Sequence, residues 1–424
     1  MSAPRPTGPR LELRLRKKIL LALIINVGIL SAVEATVRAA CFVSTRNTYY
    51  LTYGMYDRRW GPKYRDYLQP YRGYFKFRPN KVYQLDLPDP TPTRINNHGF
   101  RGDDFDATKP AGTFRLITLG ESSTFGFHSR DPYTYPKLLR DQLNRGACAG
   151  RIQVLNAGMP WVTSAQILAM TKAEILKYQP DLITLYAGHN DAVALQPEIA
   201  RARLGWNPSK WWSRRTLIAR ELTYAPRNVL LSAELSAEFL KRAVHYRMDP
   251  ERARQVNNDI QFIDRQAIEA ELETLAQQYR THLEDLIKVT QAAHVPLVLI
   301  TQAMTLRYTY PAMVPYLGPE AVREEDLRIR SFRESCEWLR AKLERTQRLY
   351  DFEVGLLKHE RIMDVLKDLS REYAIPVIDF IPTVDREPDL LVSFVHLSEE
   401  GNARLASVLL KSLRDLGLLP CTPG

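Results

Sequence analysis

The sequence predicts an α/β fold, a three-layer α/β/α sandwich built around a mainly parallel five-stranded sheet. From Arg115 onwards, short aliphatic runs alternate with helical stretches, and each run is flanked by turn or helix signals. Because the runs are apolar at nearly every position, they indicate strands that are covered by helices on both faces. The five predicted strands are "RLITL", "IQVLN", "DLITLYAG", "VPLVLI" and "IPVIDF".

The predicted α/β domain spans residues 111–418 and carries two insertions, at about 195–258 and about 303–355. Both insertions are rich in Arg, Glu and Leu at helical spacing, which predicts helices. The first contains "GWNPSKWWSRR", with three tryptophans among basic residues. This stretch could be a lid, a glycan-binding edge, a membrane-surface contact or a helix end packed onto the core.

The N-terminal region predicts a membrane anchor. Residues 1–18 hold six basic residues and one acidic residue, and an apolar run follows directly. The run from Ile19 to Val33 is too short to cross a bilayer, but its continuation to about residue 40 is long enough. A cleaved signal peptide is the alternative. The basic flank predicts a cytoplasmic tail (1–18), a single transmembrane helix (19–40) in the bacterial inner membrane, and a catalytic domain on the periplasmic side.

Residues 41–110 are predicted to form a tyrosine-rich juxtamembrane region followed by a loop. Residues 49–74 contain eight of the 21 tyrosines. This density fits an aromatic collar near the membrane surface, or else a surface on which sugars stack. The stretch "PDPTPTRINNHGFRGDDF" is then dense in turn-forming residues and leads into the first predicted strand of the sheet.

Composition and charge exclude several classes of function. A hydrophobic content of 45% with 25% charged residues is ordinary for a globular protein and argues against global disorder. The net charge of +11 is concentrated at the N-terminus, so the remainder is too dilute to predict nucleic-acid binding. The four cysteines have no metal-binding spacing, which predicts that no zinc site is present.

Four short motifs follow predicted strands or precede predicted helices, and together they point to nucleophilic catalysis. "GESST" places Ser122 at the start of a helix, and "NAG" places Gly158 after the next strand. "GHND" offers the side-chain amide of Asn190, and "FVHLSEEGN" places His396 before the final helix. The carboxyl ends of parallel strands meet at one edge of the sheet, so these residues are expected to lie together.

In this order, the motifs resemble those of the SGNH hydrolase superfamily, also called GDSL hydrolases. The resemblance covers about residues 114–200 and 290–416, and "INNHGFRG" is similar to a stretch found in its bacterial membrane-anchored members. It implies that Ser122 is the nucleophile and His396 its base. It also implies an oxyanion hole formed by the backbone N–H groups of Ser122 and Gly158 and the side chain of Asn190, with no metal or cofactor.

The chain departs from the family pattern at two positions. Glu121 replaces the usual Asp beside the nucleophile, a change expected to be tolerated. Ser393 stands where the family carries the carboxylate that orients the catalytic histidine. Three alternatives follow: Asp389 or Asp385 takes that role, or a Ser–His dyad works with a backbone carbonyl, or hydrolysis is weak and the domain serves another purpose.

The resemblance implies a membrane-anchored serine esterase or O-acyltransferase that acts through an acyl-enzyme. Its location and aromatic surfaces favour acyl esters of a cell-envelope glycan as substrate, and transfer would require an acyl donor supplied by a membrane acyltransferase partner. Two rival predictions are a non-catalytic scaffold that keeps the cleft and a lipid-directed esterase at the membrane surface. His128 and His189 are further candidates for lining the cleft, and Asp191 is expected to brace its loop.

Overall fold

A computed structural model of the chain describes residues 15–45, 68–71, 74–84, 92–145, 150–193, 262–310 and 330–420. The chain divides into two compact units. The first comprises residues 1–61 and 200–255, and the second residues 62–199 and 256–424. The tryptophan-containing stretch of the first predicted insertion lies outside the described residues, as does most of the tyrosine-rich segment.

In the first unit, the described element is helix α1, Leu15–Thr45. Many of its apolar side chains are exposed, including Leu23 at 58% and Ile24 at 59%. Among the residues that the structure describes, no helix is long and apolar enough to cross a membrane. The transmembrane helix predicted over residues 19–40 is therefore not borne out, although this segment does lie within a helix.

The second unit contains the sheet and its helices. In chain order its strands are β1 Leu68–Tyr71, β2 Tyr74–Phe77, β3 Lys81–Gln84, β4 Pro92–Ile95, β5 Phe114–Gly120, β6 Ile152–Gly158, β7 Leu182–Tyr186, β8 Phe262–Asp264, β9 Leu297–Ile300, β10 Arg348–Tyr350 and β11 Val377–Ile378. Its α-helices are α2 Ser122–Phe125, α3 Tyr135–Leu143, α4 Ser164–Ala173, α5 His189–Val193, α6 Arg265–Ala292, α7 Phe332–Thr346, α8 Asp351–Glu372, α9 Ile381–Arg386 and α10 Glu399–Asp415.

The five predicted strands form one sheet, as expected. Its order is β11-β9-β7-β5-β6, and every neighbouring pair in it is parallel. β7 and β9 are buried along their whole length, which explains why their sequences are apolar without alternation. The prediction of a mainly parallel five-stranded sheet is confirmed.

The strand order determines where a site can form. The chain runs from β5 outward to β6, then returns past β5 to β7 and continues outward to β9 and β11. Right-handed crossovers therefore place the helices after β5 and after β6 on opposite faces of the sheet. Consistent with this, α3 packs on α10, whereas α4 packs on α6, which in turn packs on α8. The reversal of direction between β5 and β7 creates a crevice at their carboxyl ends.

The remaining strands form short antiparallel pairs. β1 pairs with β2 and β3 pairs with β4 before the main sheet begins. The second predicted insertion contains helix α7 as expected, but it also contains strand β10, which pairs with β8. The sequence did not predict this pairing because three-residue strands are too short for a detectable alternation of side chains.

Candidate active site

Ser122 lies at the start of a single helical turn, α2, directly after the interior strand β5. A Cβ atom on Gly120 would come within 2.0 Å of Thr124 Oγ1 and 2.3 Å of the Tyr186 carbonyl oxygen, so the turn requires glycine. Gly126 ends the helix in the left-handed conformation, with φ of 83°, and donates its backbone N–H to the Ser122 carbonyl oxygen. These two glycines hold a half-buried serine at the carboxyl edge of the sheet.

His396 reaches Ser122 from a loop that precedes helix α10. The loop is closed by an isolated bridge between Leu391 and Leu397, and Ser398 caps α10 by accepting the backbone N–H of Gly401 at 3.0 Å. The Nε2 atom of His396 lies 2.8 Å from Ser122 Oγ. The structure therefore brings the predicted nucleophile and base to hydrogen-bond distance across 274 residues of sequence.

Ser393 contacts the other nitrogen of the same imidazole. Its Oγ lies 2.7 Å from His396 Nδ1 and also accepts the backbone N–H of His396 at 3.1 Å. The backbone N–H of Val395 points to the same oxygen at 3.4 Å. A hydroxyl group that accepts backbone N–H groups is fixed in place, so the ring is held from both nitrogens.

The two aspartates predicted as substitute acids lie elsewhere. Asp389 is exposed and pairs with Arg307. Asp385 accepts the backbone N–H of Phe332 at 2.7 Å. Among the described residues, the hydrogen-bonding partner of His396 Nδ1 is Ser393 and neither aspartate. The structure thus does not bring Asp385 or Asp389 to the histidine, because each is engaged by another element.

The electrostatic surroundings keep the imidazole neutral. Burial, followed by the proximity of His128, lowers the pKa of His396 to about 3. The rings of these two histidines lie 4.6 Å apart between centroids, and burial also lowers the pKa of His128. Among the residues that the structure describes, no carboxylate offsets these effects, so the neutral form of His396 is strongly favoured at neutral pH.

The three predicted oxyanion donors differ in whether their N–H groups already have an acceptor. The Ser122 backbone N–H is at the first position of α2, where it has no acceptor within the helix. The Gly158 N–H donates to Asn156 Oδ1 at 3.0 Å, and the Asn190 side chain donates one N–H to the Val162 carbonyl at 2.8 Å. The side-chain amide of Asn190 has a second N–H group, whereas Gly158 has only one.

Gly158 nevertheless lies directly against the nucleophile turn. A Cβ atom at this position would come within 2.2 Å of the Phe125 backbone nitrogen and 2.6 Å of the Thr124 carbonyl carbon. Only glycine permits this approach of β6 to α2. The glycine of "NAG" therefore has a packing role that the sequence did not reveal.

Glu121 has a role that the sequence did not predict. Its side chain is buried, and Oε1 accepts the backbone N–H groups of Gly188 at 3.0 Å and Asn190 at 3.1 Å. Glu121, which precedes Ser122, thus fixes the start of α5, which carries Asn190. Burial, followed by the charge of Asp191, raises the pKa of Glu121 to about 8.

Asp191 ties the same loop to helix α4. Its carboxylate accepts the backbone N–H of Ser164 at 2.9 Å and the Ser164 hydroxyl at 2.6 Å. Burial raises the pKa of Asp191 to about 6. These contacts place Asp191 as a brace for the "GHND" loop. His189, the next candidate in that motif, is buried beside Phe394 and His359, and burial lowers its pKa.

Arg101, in the lead-in "INNHGFRG", binds the end of the helical turn that begins at Ser122. Its buried guanidinium donates to the carbonyl oxygens of Phe125 at 3.1 Å, Gly126 at 2.6 Å and Ser129 at 2.7 Å. It also pairs with Asp131 at 2.8 Å. The sequence signal for this role was an arginine in a glycine-rich loop, which by itself does not reveal its partners.

Within the residues that the structure describes, no group of three or more His, Cys, Asp or Glu side chains is arranged to hold a metal ion. Cys336 is buried as a free thiol.

The fold and this Ser–His pair are those of an α/β hydrolase of the SGNH type. The model of the GDSL-like lipase/acylhydrolase family matches residues 118–404, about two thirds of the chain. The chain belongs to this family, whose members are esterases and acylhydrolases. No curated protein sequence matched the chain.

Several solved structures are similar to this chain at low identity. A lipase/acylhydrolase from Enterococcus faecalis shares 15% identity, with coverage of 74% of this chain and 99% of the other and a TM-score of 0.37. The acetyl xylan esterase AlAXEase shares 12% identity over 71% of this chain and 100% of its own, with a TM-score of 0.36. A GDSL-like lipase from Bacteroides thetaiotaomicron shares 10% identity over 72% and 89%, with a TM-score of 0.35. Family membership therefore rests on the sequence match.

Proposed function

We propose that the chain is a serine esterase or acyltransferase in which Ser122 is the nucleophile and His396 is the general base. The observation that carries this proposal is the 2.8 Å contact between Ser122 Oγ and His396 Nε2. The contact lies at the carboxyl ends of the strands, where open α/β sheets bind ligands. Membership of the GDSL-like lipase/acylhydrolase family supports the same chemistry.

The proposed reaction has two stages. His396 Nε2 accepts the proton of Ser122 as Oγ forms a bond to the ester carbonyl carbon. The tetrahedral intermediate then collapses, the bond to the alcohol oxygen breaks, and His396 returns the proton to that oxygen. A water molecule or another hydroxyl group, deprotonated in turn by His396, attacks the acyl-enzyme and regenerates Ser122.

Ser393 takes the position of the orienting group in this proposal. With the proton on Nδ1 donated to Ser393 Oγ, the lone pair of Nε2 is directed at Ser122. A hydroxyl group can either accept a hydrogen bond from Nδ1 or donate one to it, so it holds the ring without selecting this tautomer as a carboxylate would. It also supplies no negative charge to stabilise the imidazolium. The proposed site is therefore a Ser–His dyad supported by a neutral hydrogen bond.

The oxyanion would be stabilised by the Ser122 backbone N–H and the second side-chain N–H of Asn190. Gly158 would contribute its N–H only after releasing Asn156 Oδ1, its present acceptor. Loss of a single donor of this kind typically costs about 3 kcal/mol of transition-state stabilisation. Glu121 supports the site indirectly, because it fixes the backbone of Asn190.

As the substrate class, we propose acyl esters of a cell-envelope glycan. The support is the N-terminal sequence, with its basic tail and apolar run, together with the aromatic residues near the site. Attachment to the inner membrane, a periplasmic location and a membrane acyltransferase partner that supplies acyl groups belong to the same proposal. Cell fractionation with protease-accessibility measurements tests the location.

Two observations favour a second candidate function, a non-catalytic scaffold that retains the cleft. Ser393 replaces the carboxylate with a neutral group, and the Gly158 N–H is engaged by Asn156. A protein that only binds acylated glycans requires neither a charged triad nor a free oxyanion donor.

An esterase assay separates these candidates. Purified chain is incubated with vinyl acetate and acetate release is followed by titration, with Ser122→Ala as the test and Ser407→Ala, an exposed serine on α10, as the matched control. The proposal predicts activity in the wild type and Ser407→Ala, and a loss of at least about 1,000-fold in Ser122→Ala. Equal activity in all three proteins, or none in the folded wild type, would contradict it.

A further inference from the structure

Two half-buried aromatic rings extend from the catalytic pair. The ring of Phe127 stacks on His396 with centroids 5.7 Å apart and an interplanar angle of 29°. The ring of Trp161 meets Phe127 edge-on, at 5.8 Å and 77°. We call Phe127 and Trp161 the aromatic corner, since their planes meet almost at a right angle beside the nucleophile.

The backbone of Trp161 is in the left-handed region, with φ of 62°. A bulky side chain rarely adopts this conformation, which costs on the order of 1 kcal/mol or more. Strain of this kind persists where the surrounding structure requires a side chain in a particular place, and it clusters at ligand sites. Trp161 comes three residues after Gly158, and its conformation places the indole ring against Phe127.

His128 adds a polar group beside the corner. Its ring lies 4.6 Å from that of His396 and 5.3 Å from that of Phe127. Within the residues that the structure describes, the His128 ring takes part in no hydrogen bond to a side chain or backbone group. An imidazole in this state offers one donor and one acceptor to a bound molecule.

We propose that the aromatic corner and His128 form the subsite for a sugar ring, namely the alcohol part of the ester substrate. This inference rests on the proposed function. In that reaction His396 returns its proton to the departing alcohol oxygen, so the alcohol must lie on the His396 side of Ser122. Phe127 and His128 place their rings next to that of His396, as Phe394 also does, and Trp161 extends the surface of Phe127.

The chemistry of this lining matches a sugar better than an alkyl chain. One face of a pyranose ring presents C–H groups that pack on aromatic rings, while its edge presents hydroxyl groups. The corner offers the exposed parts of two aromatic rings, and His128 offers hydrogen-bonding atoms at their margin. An alkyl alcohol would leave the polar atoms of His128 buried against an apolar chain, which costs free energy.

The test compares two acetyl esters that differ only in their alcohol. Acetylated xylo-oligosaccharide carries a sugar ring, whereas vinyl acetate carries no ring and cannot fill the corner. Trp161→Gly removes the indole while glycine adopts the left-handed backbone freely, and Trp161→Asn is a second variant that tolerates this conformation. Circular dichroism melting checks that each variant is folded. Phe262→Ala, at an exposed aromatic residue on β8, is the matched control.

The subsite predicts that the ratio of kcat/KM for the acetylated oligosaccharide to that for vinyl acetate falls roughly tenfold in Trp161→Gly and Trp161→Asn, mainly through KM. His128→Ala is expected to lower the same ratio, and His128→Asn to restore part of it. Phe262→Ala is expected to leave the ratio unchanged.

Three results would overturn the subsite. An unchanged ratio in the Trp161 variants is one, and an equal loss on both esters, which a purely structural role would produce, is another. A selective loss on octyl acetate, with no change on the oligosaccharide, would assign the corner to a lipid alcohol. Failure of the proposed function can be told apart from failure of the subsite. In that case Ser122→Ala would keep activity on both esters, or the folded wild type would hydrolyse neither.

Discussion

The imidazole of His396 lies between two serine hydroxyl groups, with Ser122 Oγ 2.8 Å from Nε2 and Ser393 Oγ 2.7 Å from Nδ1. The second contact occupies the place where the related hydrolases carry a carboxylate. A neutral hydroxyl group holds the ring in place, but it can donate as well as accept, so it does not select the tautomer as a carboxylate does. It also does not stabilise the positive charge that the ring acquires during the reaction. The consequences of this single exchange can be measured.

Replacement of Ser393 is predicted to change kcat in opposite directions for two variants. Ser393→Ala removes the hydrogen-bond partner of Nδ1, and since a neutral hydrogen bond contributes about 1 kcal/mol, kcat should fall about fivefold. Ser393→Asp supplies a charge that stabilises the imidazolium, so kcat should rise. Steady-state kinetics with vinyl acetate measures both effects.

Ser393→Thr is the conservative control, because it keeps a hydroxyl group at the same position. It is expected to retain most of the wild-type kcat. If Ser393→Ala matches the wild type in kcat, the 2.7 Å contact does not orient the histidine during turnover.

The acid limb of the pH–rate profile is predicted to lie unusually low. His396 acts as a base only when neutral, and its pKa is about 3 because the ring is buried and lies beside His128. Activity should therefore stay nearly constant as pH falls from 7 to about 5 and decline only as the ring becomes protonated. In Ser393→Asp, the added carboxylate raises this pKa, so the decline should begin at a higher pH.

Rates measured between pH 3 and 9 check this prediction, with circular dichroism at each pH to verify that the protein is folded. A wild-type profile that falls with an apparent pKa near 6.5, the ordinary value for histidine, would show that the ring is not desolvated as the structure has it.

Much of the fold could be predicted from the sequence because parallel strands buried on both faces leave a strong signal. β5 and β7 are apolar at most positions and buried along nearly all of their length, and both were expected with nearly correct bounds. β8 and β10 were missed because each has only three residues, and their pairing joins segments that are 84 residues apart, as Arg348 and Asp264 show.

The pair at the centre of the site was also predictable, since Ser122 and His396 lie in motifs at strand and helix ends. The supporting residues were not. In the sequence, Ser393 was notable only because it replaces the expected acid. Its contact with His396 Nδ1 depends on the conformation of the loop before α10. Arg101 lies outside the segment that matches the family, and its acceptors are backbone carbonyls, which no residue type reveals.

Arg101→Ala is predicted to destabilise the fold and to lower activity. The change removes the guanidinium donor from the buried carbonyl groups of Phe125, Gly126 and Ser129, and it leaves Asp131 without its cation. The expected loss in the free energy of unfolding is about 3 kcal/mol or more. Urea denaturation with a parallel activity assay measures it.

Arg94→Ala, on strand β4 just before the lead-in, is the matched control. Arg94 pairs with Asp104 at an exposed site, with side chains 53% and 49% exposed, so its loss should change stability by no more than about 0.5 kcal/mol. Similar stabilities for the two variants would show that Arg101 does not hold the nucleophile turn.

Glu121→Gln is predicted to stabilise the protein at alkaline pH. The pKa of Glu121 is raised from 4.5 to about 8 in the folded state, so the folded chain holds a proton that the unfolded chain has lost. Stability is therefore full below the unfolded pKa and falls as pH rises toward 8, on the order of 1 kcal/mol per pH unit. Glutamine keeps an acceptor for the Gly188 and Asn190 N–H groups and removes this dependence.

Denaturation at pH 6.5 and 9 compares the two proteins, in a range above the pKa of about 6 of Asp191, the neighbouring acid. The wild type should lose more stability than Glu121→Gln between these values. Parallel losses in both proteins would mean that Glu121 is already ionised at pH 6.5.

Covalent labelling tests whether Ser122 is an activated nucleophile. The purified wild-type chain and the variants Ser122→Ala, His396→Ala and Ser407→Ala are treated with a fluorophosphonate, and the modified peptide is located by mass spectrometry. One adduct is expected, on Ser122, absent in the first two variants and present in the third. A folded wild type without an adduct, or an adduct that persists in Ser122→Ala, would show that Ser122 is not an activated nucleophile.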